Sequence, residues 1–313
     1  MINNNISLDI CQELHDKTAR GRERPWAKYK RLNGYIAMAY DDVDIKKADR
    51  LRQCATWLEF AVEGDNMRLH NANFCRVRLC PICSWRKSLK TYAQVRACMA
   101  ELGNDYNYIF VTLTIPNCLP TDLDTTLTRL MEGFNRLTKY KRVSDAVKGY
   151  YKGVEVTHNV NDDTYHPHIH CIFAVKPSYF KSRYYIKRDD WLDMWRRAMQ
   201  DKSIMEVDVR RLYGNVEHAC AEVSKYAIKP GEIVVDDWSL TVDTVRVLDK
   251  ALNNRRFVGF GGVFKEAHKK LHLDDVEDGD LTHVEANLAN ADDDVRTIVY
   301  TWRTGYNQYL LDG

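Results

Sequence analysis

One stretch constrains this chain more than any other, because it joins three histidines to a run of strand-forming residues. It reads Tyr-His-Pro-His-Ile-His-Cys-Ile-Phe-Ala-Val over residues 165–175. Side chains two apart on a β-strand point to the same face, so His168 and His170 project together. The apolar run over residues 172–175 predicts that this strand continues into a buried sheet. Two imidazoles on one face of a strand form half of a metal site; the alternative is a surface strand whose histidines bind nothing.

A second strand, predicted over residues 150–158, precedes the histidines and is joined to them by a polar loop rich in Asn and Asp. This pattern is typical of a β-hairpin. In an antiparallel pair, Glu155 can lie across from the histidines and add a carboxylate, although a solvent-facing glutamate fits the pattern equally well. Two histidines and one carboxylate leave open positions on a divalent ion, as catalysis on a phosphate requires.

Cysteines form a second set of candidate ligands. Cys80 and Cys83 make a Cys-x-x-Cys turn, whose spacing allows two thiolates to bind one tetrahedral zinc ion. Cys75 is close enough to be a third ligand. The fourth is Cys54 or His70, and we favour Cys54 because thiolate-rich sites suit structural zinc. A redox pair is the alternative, but the extra cysteine and the surrounding Arg and Lys residues are not typical of one.

Basic residues surround the cysteine turn and indicate contact with a DNA backbone. They include Arg76, Arg78, Arg86 and Lys87. Cys54 itself lies in a stretch, residues 51–60, that resembles a strand. The residues after the turn predict a helix over 84–102.

Composition describes an ordinary globular protein, with 313 residues, 45% hydrophobic and 29% charged. We expect a cytoplasmic protein without membrane contact, because no apolar run is long enough for a membrane helix and the N-terminus lacks a signal peptide's apolar core. Nine cysteines in a reducing compartment then indicate metal ligands or buried thiols.

Charge is distributed unevenly, although the net charge is only +2. Basic residues crowd positions 17–31, where Trp26 can either stack on bases or pack on the next module. Acidic residues begin a segment over 272–295 that we expect to be mobile. The last residues predict a terminal hairpin around Thr304 and Gly305.

A second chemical motif falls in residues 216–230, which we predict to be helical. On a helix, Glu222 and Tyr226 are four residues apart and share a face, as do Lys225 and Lys229. A tyrosine among lysines with a carboxylate one turn away is a candidate nucleophile with a base beside it. The alternative is a helix that carries ordinary side-chain pairs.

The remaining periodic segments predict alternating helices and strands. We expect helices over 122–137, 187–200 and 235–258, and strands over 108–115 and 206–212. The glycine-rich residues 257–264 lack the spacing of a dinucleotide fingerprint, so they predict no such cofactor.

Taken in order, these motifs resemble those of the plasmid rolling-circle replication initiators of the HUH endonuclease superfamily. Residues 110–114 resemble the family's first motif, residues 166–170 its metal motif, and residues 222–226 the third motif of the branch with one nucleophilic tyrosine. The cysteine turn and residues 260–266 resemble further signatures of that branch. The similarity extends from about residue 50 to 266.

The resemblance implies an α+β fold of HUH type, in which a central antiparallel sheet carries the histidines and is flanked by helices, with a small N-terminal zinc-binding module. It implies four regions along the chain. They are a basic helical region over 1–50, a zinc-binding module over 51–90, an endonuclease domain over 91–266, and an acidic tail with a terminal hairpin over 267–313.

The resemblance also implies a reaction. Tyr226 attacks a phosphodiester in single-stranded or extruded origin DNA, keeps the 5′ phosphate as a tyrosyl ester and leaves a 3′-OH. Glu222 activates water at termination, while Lys225 and Lys229 bind the DNA and stabilise phosphate or phenolate charge nearby. The partners are plasmid origin DNA and, for extension of the 3′-OH, a host helicase and DNA polymerase.

Two metal sites follow from the same resemblance. A catalytic Mg²⁺ or Mn²⁺ is held by His168 and His170 with Glu155 as third ligand, and His166 is the substitute for Glu155. A structural Zn²⁺ is held by Cys54, Cys75, Cys80 and Cys83.

Other functions remain open at this point. A relaxase or single-strand transposase shares the metal chemistry, but no Gly-x-x-x-x-Gly-Lys-Ser/Thr loop and no second clustered tyrosine is present in the sequence, which favours plasmid initiation. A non-catalytic zinc-dependent DNA-binding regulator would explain the basic cysteine module but leave the histidine strand and the Glu222–Tyr226 pair without a purpose.

Overall fold

The structure is a computed structural model, and it describes residues 12–18, 20–64, 66–212, 216–225, 227–284 and 296–312. The chain divides into two compact units, one of residues 1–83 and 288–313 and the other of residues 84–287. Within the described ranges, no helix is long and apolar enough to cross a membrane.

Helices and strands alternate along most of the chain. The helices are α1 (Trp26–Tyr40), α2 (Ile45–Gln53), α3 (Pro81–Leu102), α4 (Leu123–Lys139), α5 (Lys141–Ala146), α6 (Arg188–Met199), α7 (Val216–Val223), α8 (Trp238–Leu252) and α9 (Val263–Lys270). The strands are β1 (Trp57–Glu63), β2 (Asn66–Ala72), β3 (Asn107–Thr114), β4 (Val147–Asn159), β5 (Thr164–Val175), β6 (Val207–Arg211), β7 (Val258–Gly262), β8 (Thr297–Arg303) and β9 (Gln308–Leu311).

The first unit contains an antiparallel sheet of order β2-β1-β8-β9, in which the terminal hairpin β8–β9 pairs with β1. Trp26 is buried and meets Phe60 edge-on, with ring centroids 6.5 Å apart, so this aromatic residue packs in the core. Residues 51–53 end α2 and do not belong to a strand, contrary to the sequence prediction. The side chain of Asp44 caps the start of that helix by accepting hydrogen bonds from the amides of Lys46 and Lys47.

The second unit is organised around an antiparallel sheet of order β6-β3-β5-β4-β7. Because side chains along β5 point alternately to the two faces of the sheet, helices can pack against both faces. Ile172 packs in a cluster with residues of α3, α7 and α9, whereas Phe173 points to the other face and stacks on Trp191 of α6, with centroids 5.5 Å apart. Helices and antiparallel sheets together confirm the predicted α+β class.

The acidic segment is packed where the structure describes it, so the expectation of mobility is wrong for residues 272–284. Asp274 forms an ion pair with Lys90 and accepts a hydrogen bond from Gln94 at 3.0 Å. Glu277 is buried and accepts the amide of Phe257 at 3.0 Å. Because the Asp274 carboxylate meets a cation and the Glu277 carboxylate meets a backbone donor, these charges are stabilised within the protein. Residues 285–295 lie outside the described residues.

Candidate active site and metal centres

The three central strands of the second unit bring the candidate metal ligands together. β5 pairs with β4 so that His168 lies opposite Glu155, and it pairs with β3 so that His170 lies opposite Thr112. Paired residues on neighbouring strands point to the same face. The sequence of each strand therefore places the two imidazoles and the carboxylate on one side of the sheet.

The donor atoms of this cluster are close and mostly buried. Oε2 of Glu155 lies 3.4 Å from Nε2 of His168 and 3.2 Å from Nε2 of His170. Glu155 is only 5% exposed. Burial opposes its ionisation, but the hydrogen bonds and charge of the two histidines keep the pKa of Glu155 below its ordinary value.

Hydrogen bonds fix how each imidazole is presented. Nδ1 of His168 lies 3.1 Å from the carbonyl oxygen of His166, and since a carbonyl only accepts, this nitrogen carries the proton. Nδ1 of His170 lies 3.1 Å from Oγ1 of Thr112, which leaves its Nε2 toward Glu155. The Nε2 atoms of both histidines are therefore left facing the Glu155 carboxylate, where a proton or a metal ion can lie between nitrogen and oxygen.

The spacing of these donors fits a divalent ion. Two donors at about 2.1 Å from an ion and about 90–110° apart are separated by about 3.0–3.4 Å. The observed Nε2–Oε2 separations are 3.4 and 3.2 Å. Among the described residues this cluster comprises Glu155, His168 and His170. The structure does not bring His166 into it; the ring of His166 lies 5.3 Å from that of His168, further along the strand.

Lys229 contacts the carboxylate oxygen of Glu155 that the histidines do not contact. Its Nζ lies 3.4 Å from Oε1 of Glu155 and 3.0 Å from Oε1 of Glu232. Burial opposes the charge on Lys229, but the two carboxylates raise its pKa. Glu155 thus meets an ammonium at one oxygen and the two imidazoles at the other.

Two residues of β4 anchor the segment that carries Lys229. The amide of Val156 donates to the carbonyl of Ala227 at 2.7 Å. The amide of His158 donates to Oε2 of Glu232 at 3.2 Å, and Nδ1 of His158 donates to the carbonyl of Glu232 at 3.0 Å. This anchoring was not foreseen, because nothing in the local sequence predicts that residues 227–232 lie beside β4.

The prediction that one helix extends over residues 216–230 is wrong. α7 ends at Val223, so Lys225 and Lys229 do not share a helical face. The carbonyl of Val223 accepts a hydrogen bond from the Tyr151 hydroxyl at 3.2 Å, and the chain then turns to pair Ala227 with β4. Tyr226, the candidate nucleophile, lies outside the described residues.

Glu222 lies at the end of α7 and forms an ion pair with Lys225, with Oε2 and Nζ 2.5 Å apart. A cavity of about 340 Å³ opens beside the sheet at this point. Its lining includes Thr112, His170, Asp208, Arg210, His218 and Glu222. The second predicted acid therefore faces the same cleft as a histidine of the metal cluster, which sequence spacing alone did not indicate.

The four predicted cysteines converge in the first unit, with Cys54 and not His70 in the cluster. The Sγ separations are 3.6 Å for Cys54–Cys83, 3.5 Å for Cys54–Cys80 and 3.8 Å for Cys75–Cys83. Four thiolates at about 2.3 Å from a tetrahedral zinc ion are about 3.8 Å apart, so the donor set fits zinc. Burial raises the pKa of the Cys80 thiol, so ionised cysteines there require a nearby cation.

A buried lysine lies beside the cysteine cluster. Lys30 is 6% exposed, and its Nζ donates to the carbonyls of Arg52 at 2.9 Å and Cys54 at 2.5 Å. Four thiolates and one Zn²⁺ carry two negative charges, so an ammonium at this position balances part of that charge. In the sequence, Lys30 is distinguished only as one of the basic residues that crowd positions 17–31.

Two of the residues predicted to contact DNA, Arg86 and Lys87, have protein partners inside the second unit, and their contact with DNA stays a prediction. Arg86 is buried, and its guanidinium donates to the carbonyls of Leu281 at 2.8 Å and Thr282 at 2.6 Å. Nζ of Lys87 lies 3.3 Å from Oε2 of Glu277. Lys90, on the same helix α3, forms an ion pair with Asp274, so several cations of this helix contact the acidic segment.

Comparisons with known proteins show which family the chain is similar to. The family model described as Replication protein matches residues 66–310. A protein named Protein rep from Bacillus amyloliquefaciens is 37% identical over 331 aligned positions, which cover 95% of this chain and 97% of that relative. Relatives of the same name from Lactiplantibacillus plantarum and Streptococcus pneumoniae are 33% and 34% identical, over 88% and 86% of this chain and 90% and 87% of the relatives.

No solved structure matches the chain. The family match covers most of the chain and includes the cysteine turn, the histidine strand and the Glu222 motif. The resemblance to plasmid rolling-circle replication initiators is thereby confirmed, and the chain belongs to the replication protein family.

Proposed function

We propose that this replication protein starts plasmid replication by nicking one strand of its origin in a metal-dependent reaction. One observation carries the proposal: the buried Glu155–His168–His170 cluster adjoins a cleft that Glu222 also lines. A cation site and a second carboxylate around one open cleft are what cleavage and later hydrolysis of a phosphodiester need.

Glu155, His168 and His170 would hold the divalent ion, Mg²⁺ or Mn²⁺. When bound, such an ion polarises the scissile phosphate and stabilises the charge that develops on it. The protein residues prepare this site: Thr112 orients His170, the His166 carbonyl orients His168, and Lys229 holds the second oxygen of Glu155.

In the cleavage step, the phenolic oxygen of Tyr226 forms a bond to phosphorus as it loses its proton, and the bond from phosphorus to the 3′ oxygen breaks. The 5′ phosphate stays on the tyrosine, and the 3′ oxygen takes up a proton to become the primer for a host polymerase. The ammonium groups of Lys225 and Lys229 are the charges available to stabilise the phenolate.

At termination, Glu222 takes a proton from water, and the water oxygen attacks the phosphodiester of the regenerated origin. The 3′ oxygen leaves, and no second tyrosyl ester forms. The ion pair with Lys225 supports this role, because it positions the Glu222 carboxylate, which lines the cleft. The cysteine cluster would hold a structural Zn²⁺ in the first unit.

The test uses the full chain with labelled single-stranded oligonucleotides from its own plasmid, in Mn²⁺ or in EDTA. We expect a denaturation-resistant adduct that requires the metal and maps to Tyr226. Tyr226→Phe and His168→Ala should abolish the adduct, whereas His166→Ala, the matched control outside the ligand cluster, should retain it. A folded wild-type protein that forms no adduct and makes no nick would indicate the DNA-binding regulator instead.

A further inference from the structure

We propose that the loop of residues 176–188, which joins β5 to α6 and includes the first residue of α6, binds single-stranded DNA beside the cleft. The inference rests on the proposed function, since it supplies a path for the strand that is cut. The loop contains five cations, four aromatic residues and no acidic residue. Its cations are Lys176, Lys181, Arg183, Lys187 and Arg188, and its aromatic residues are Tyr179, Phe180, Tyr184 and Tyr185.

Two buried residues hold the loop in one conformation. Tyr179 is 3% exposed and Ile186 is 1% exposed. The amide of Ile186 donates to the Tyr179 hydroxyl at 3.1 Å, and the guanidinium of Arg188 donates to the carbonyl of Val207 at 3.1 Å. A loop that is already ordered loses little conformational entropy when it binds a ligand.

The same anchoring turns other aromatic side chains toward solvent. Tyr184 and Tyr185 are 41% and 44% exposed, although large rings are usually buried. Lys181, Arg183 and Lys187 are exposed around them. Exposed rings offer stacking faces to bases, and the cations between them can meet the phosphates of one strand.

An arginine connects this loop to the cleft. The guanidinium of Arg211, on the edge strand β6, lies 4.1 Å from the ring centroid of Phe180. Phe180 in turn lies 6.3 Å, centroid to centroid, from Tyr185. Arg211 also lines the cleft that contains His170 and Glu222. A strand bound on the loop can therefore continue past the edge of the sheet to the candidate active site.

Single-stranded DNA fits these observations better than other polyanions. An acidic peptide would pair with the cations but would leave the two exposed tyrosines without a function. A duplex would hide its base faces inside the stack, where aromatic side chains cannot reach them.

The test measures binding of fluorescently labelled oligothymidylate to the full chain by anisotropy, in EDTA so that no cleavage occurs. The double variant Tyr184→Ala/Tyr185→Ala should bind about tenfold more weakly or worse, because each base–aromatic stack contributes substantially to affinity. Tyr184→Phe/Tyr185→Phe keeps the rings and should bind like the wild type. Tyr306→Ala removes a tyrosine that is 75% exposed elsewhere and should also leave affinity unchanged.

The salt dependence tests the cations separately. Lys181→Gln/Arg183→Gln should lower the slope of log affinity against log salt by about 1.4, since each phosphate contact on a single strand contributes about 0.7. Unchanged affinity in the double alanine variant would overturn the inference. So would equal losses in binding of a duplex or of polyglutamate.

Failure of the loop proposal can be distinguished from failure of the nicking proposal by comparing DNA binding with adduct formation. If the alanine variant binds weakly but still forms the tyrosyl adduct at saturating DNA in Mn²⁺, both proposals stand. If the variant binds normally while the wild type forms adduct, only the loop proposal fails. If the wild type forms no adduct, the nicking proposal fails whatever the loop does.

Discussion

Gly153 of β4 is the position where a single methyl group should do most harm to the candidate site. A Cβ atom at this residue would lie 2.5 Å from the carbonyl oxygen of Val223, which is backbone at the end of α7. Ordinary van der Waals separation requires that carbonyl to retreat by roughly 1 Å. Glu222 is the adjacent residue, so Gly153→Ala should displace the carboxylate that we assign to termination.

Two magnitudes follow from this geometry. Overpacking of this kind costs about 1–3 kcal/mol of unfolding free energy, and a unit of this size loses about 2–4 °C in Tm for each kcal/mol. A misplacement of about 1 Å can lower a reaction rate about 100-fold, so the hydrolytic step should slow far more than oligonucleotide binding.

The assay combines thermal unfolding with rates of nicking and of strand hydrolysis at saturating oligonucleotide. Gly259→Ala is the matched control on the neighbouring strand β7, because its Cβ would meet only the flexible side chain of Lys152, at 3.2 Å. Wild-type Tm and wild-type hydrolysis in Gly153→Ala would refute the reasoning. Equal losses in the two variants would show that any added methyl group in these strands has the same effect.

Three further predictions concern other parts of the chain. Cys80→Ser should abolish stoichiometric zinc, measured by atomic absorption, whereas Cys118→Ser, a cysteine outside the cluster, should retain it. Lys30→Met should weaken zinc retention against a chelator, because it removes the ammonium beside the thiolates; retention equal to that of the wild type would exclude that role. Burial alone would raise the pKa of Asp280, but hydrogen bonds from the Thr282 and His283 amides and the His283 ring lower it to about 2. Since the folded pKa of Asp280 is depressed, the stability that its carboxylate contributes is present above pH 4 and is lost as the pH falls toward 2. Asp280→Ala should therefore lower the free energy of unfolding by about 1 kcal/mol above pH 4, after allowance for solvent screening. Urea titrations should show this difference vanish between pH 4 and pH 2.

Features with a local cause were predictable from the sequence. The histidine strand could be predicted because alternation along a strand fixes which side chains share a face. The cysteine cluster followed from ligand spacing, and the structure brings the four predicted cysteines together. The helix over α4 and the strand β3 were also evident from their periodicity.

Features with a distant cause were not predictable in this way. Residues 216–230 read as one helix because Glu222 and Tyr226 have helical spacing. The helix ends at Val223 because the Tyr151 hydroxyl, the close approach to Gly153 and the pairing of Ala227 with β4 all act from another strand. Arg86 looked like a DNA contact for a similar reason, since its partners lie far along the chain at residues 281 and 282.

The environment of Glu155 shows how the site can accept a divalent ion without a large rearrangement. One carboxylate oxygen lies 3.4 Å from the Lys229 ammonium, and the other lies within 3.4 Å of both imidazole Nε2 atoms. Each imidazole is held through its Nδ1, so rotation away from the cluster would break a hydrogen bond. Lys229 contacts the carboxylate oxygen that the imidazoles do not, so it could keep this contact if Glu155, His168 and His170 held a divalent ion. The contact with Lys229 therefore helps to orient Glu155, and the binding of DNA by Lys229 stays a prediction.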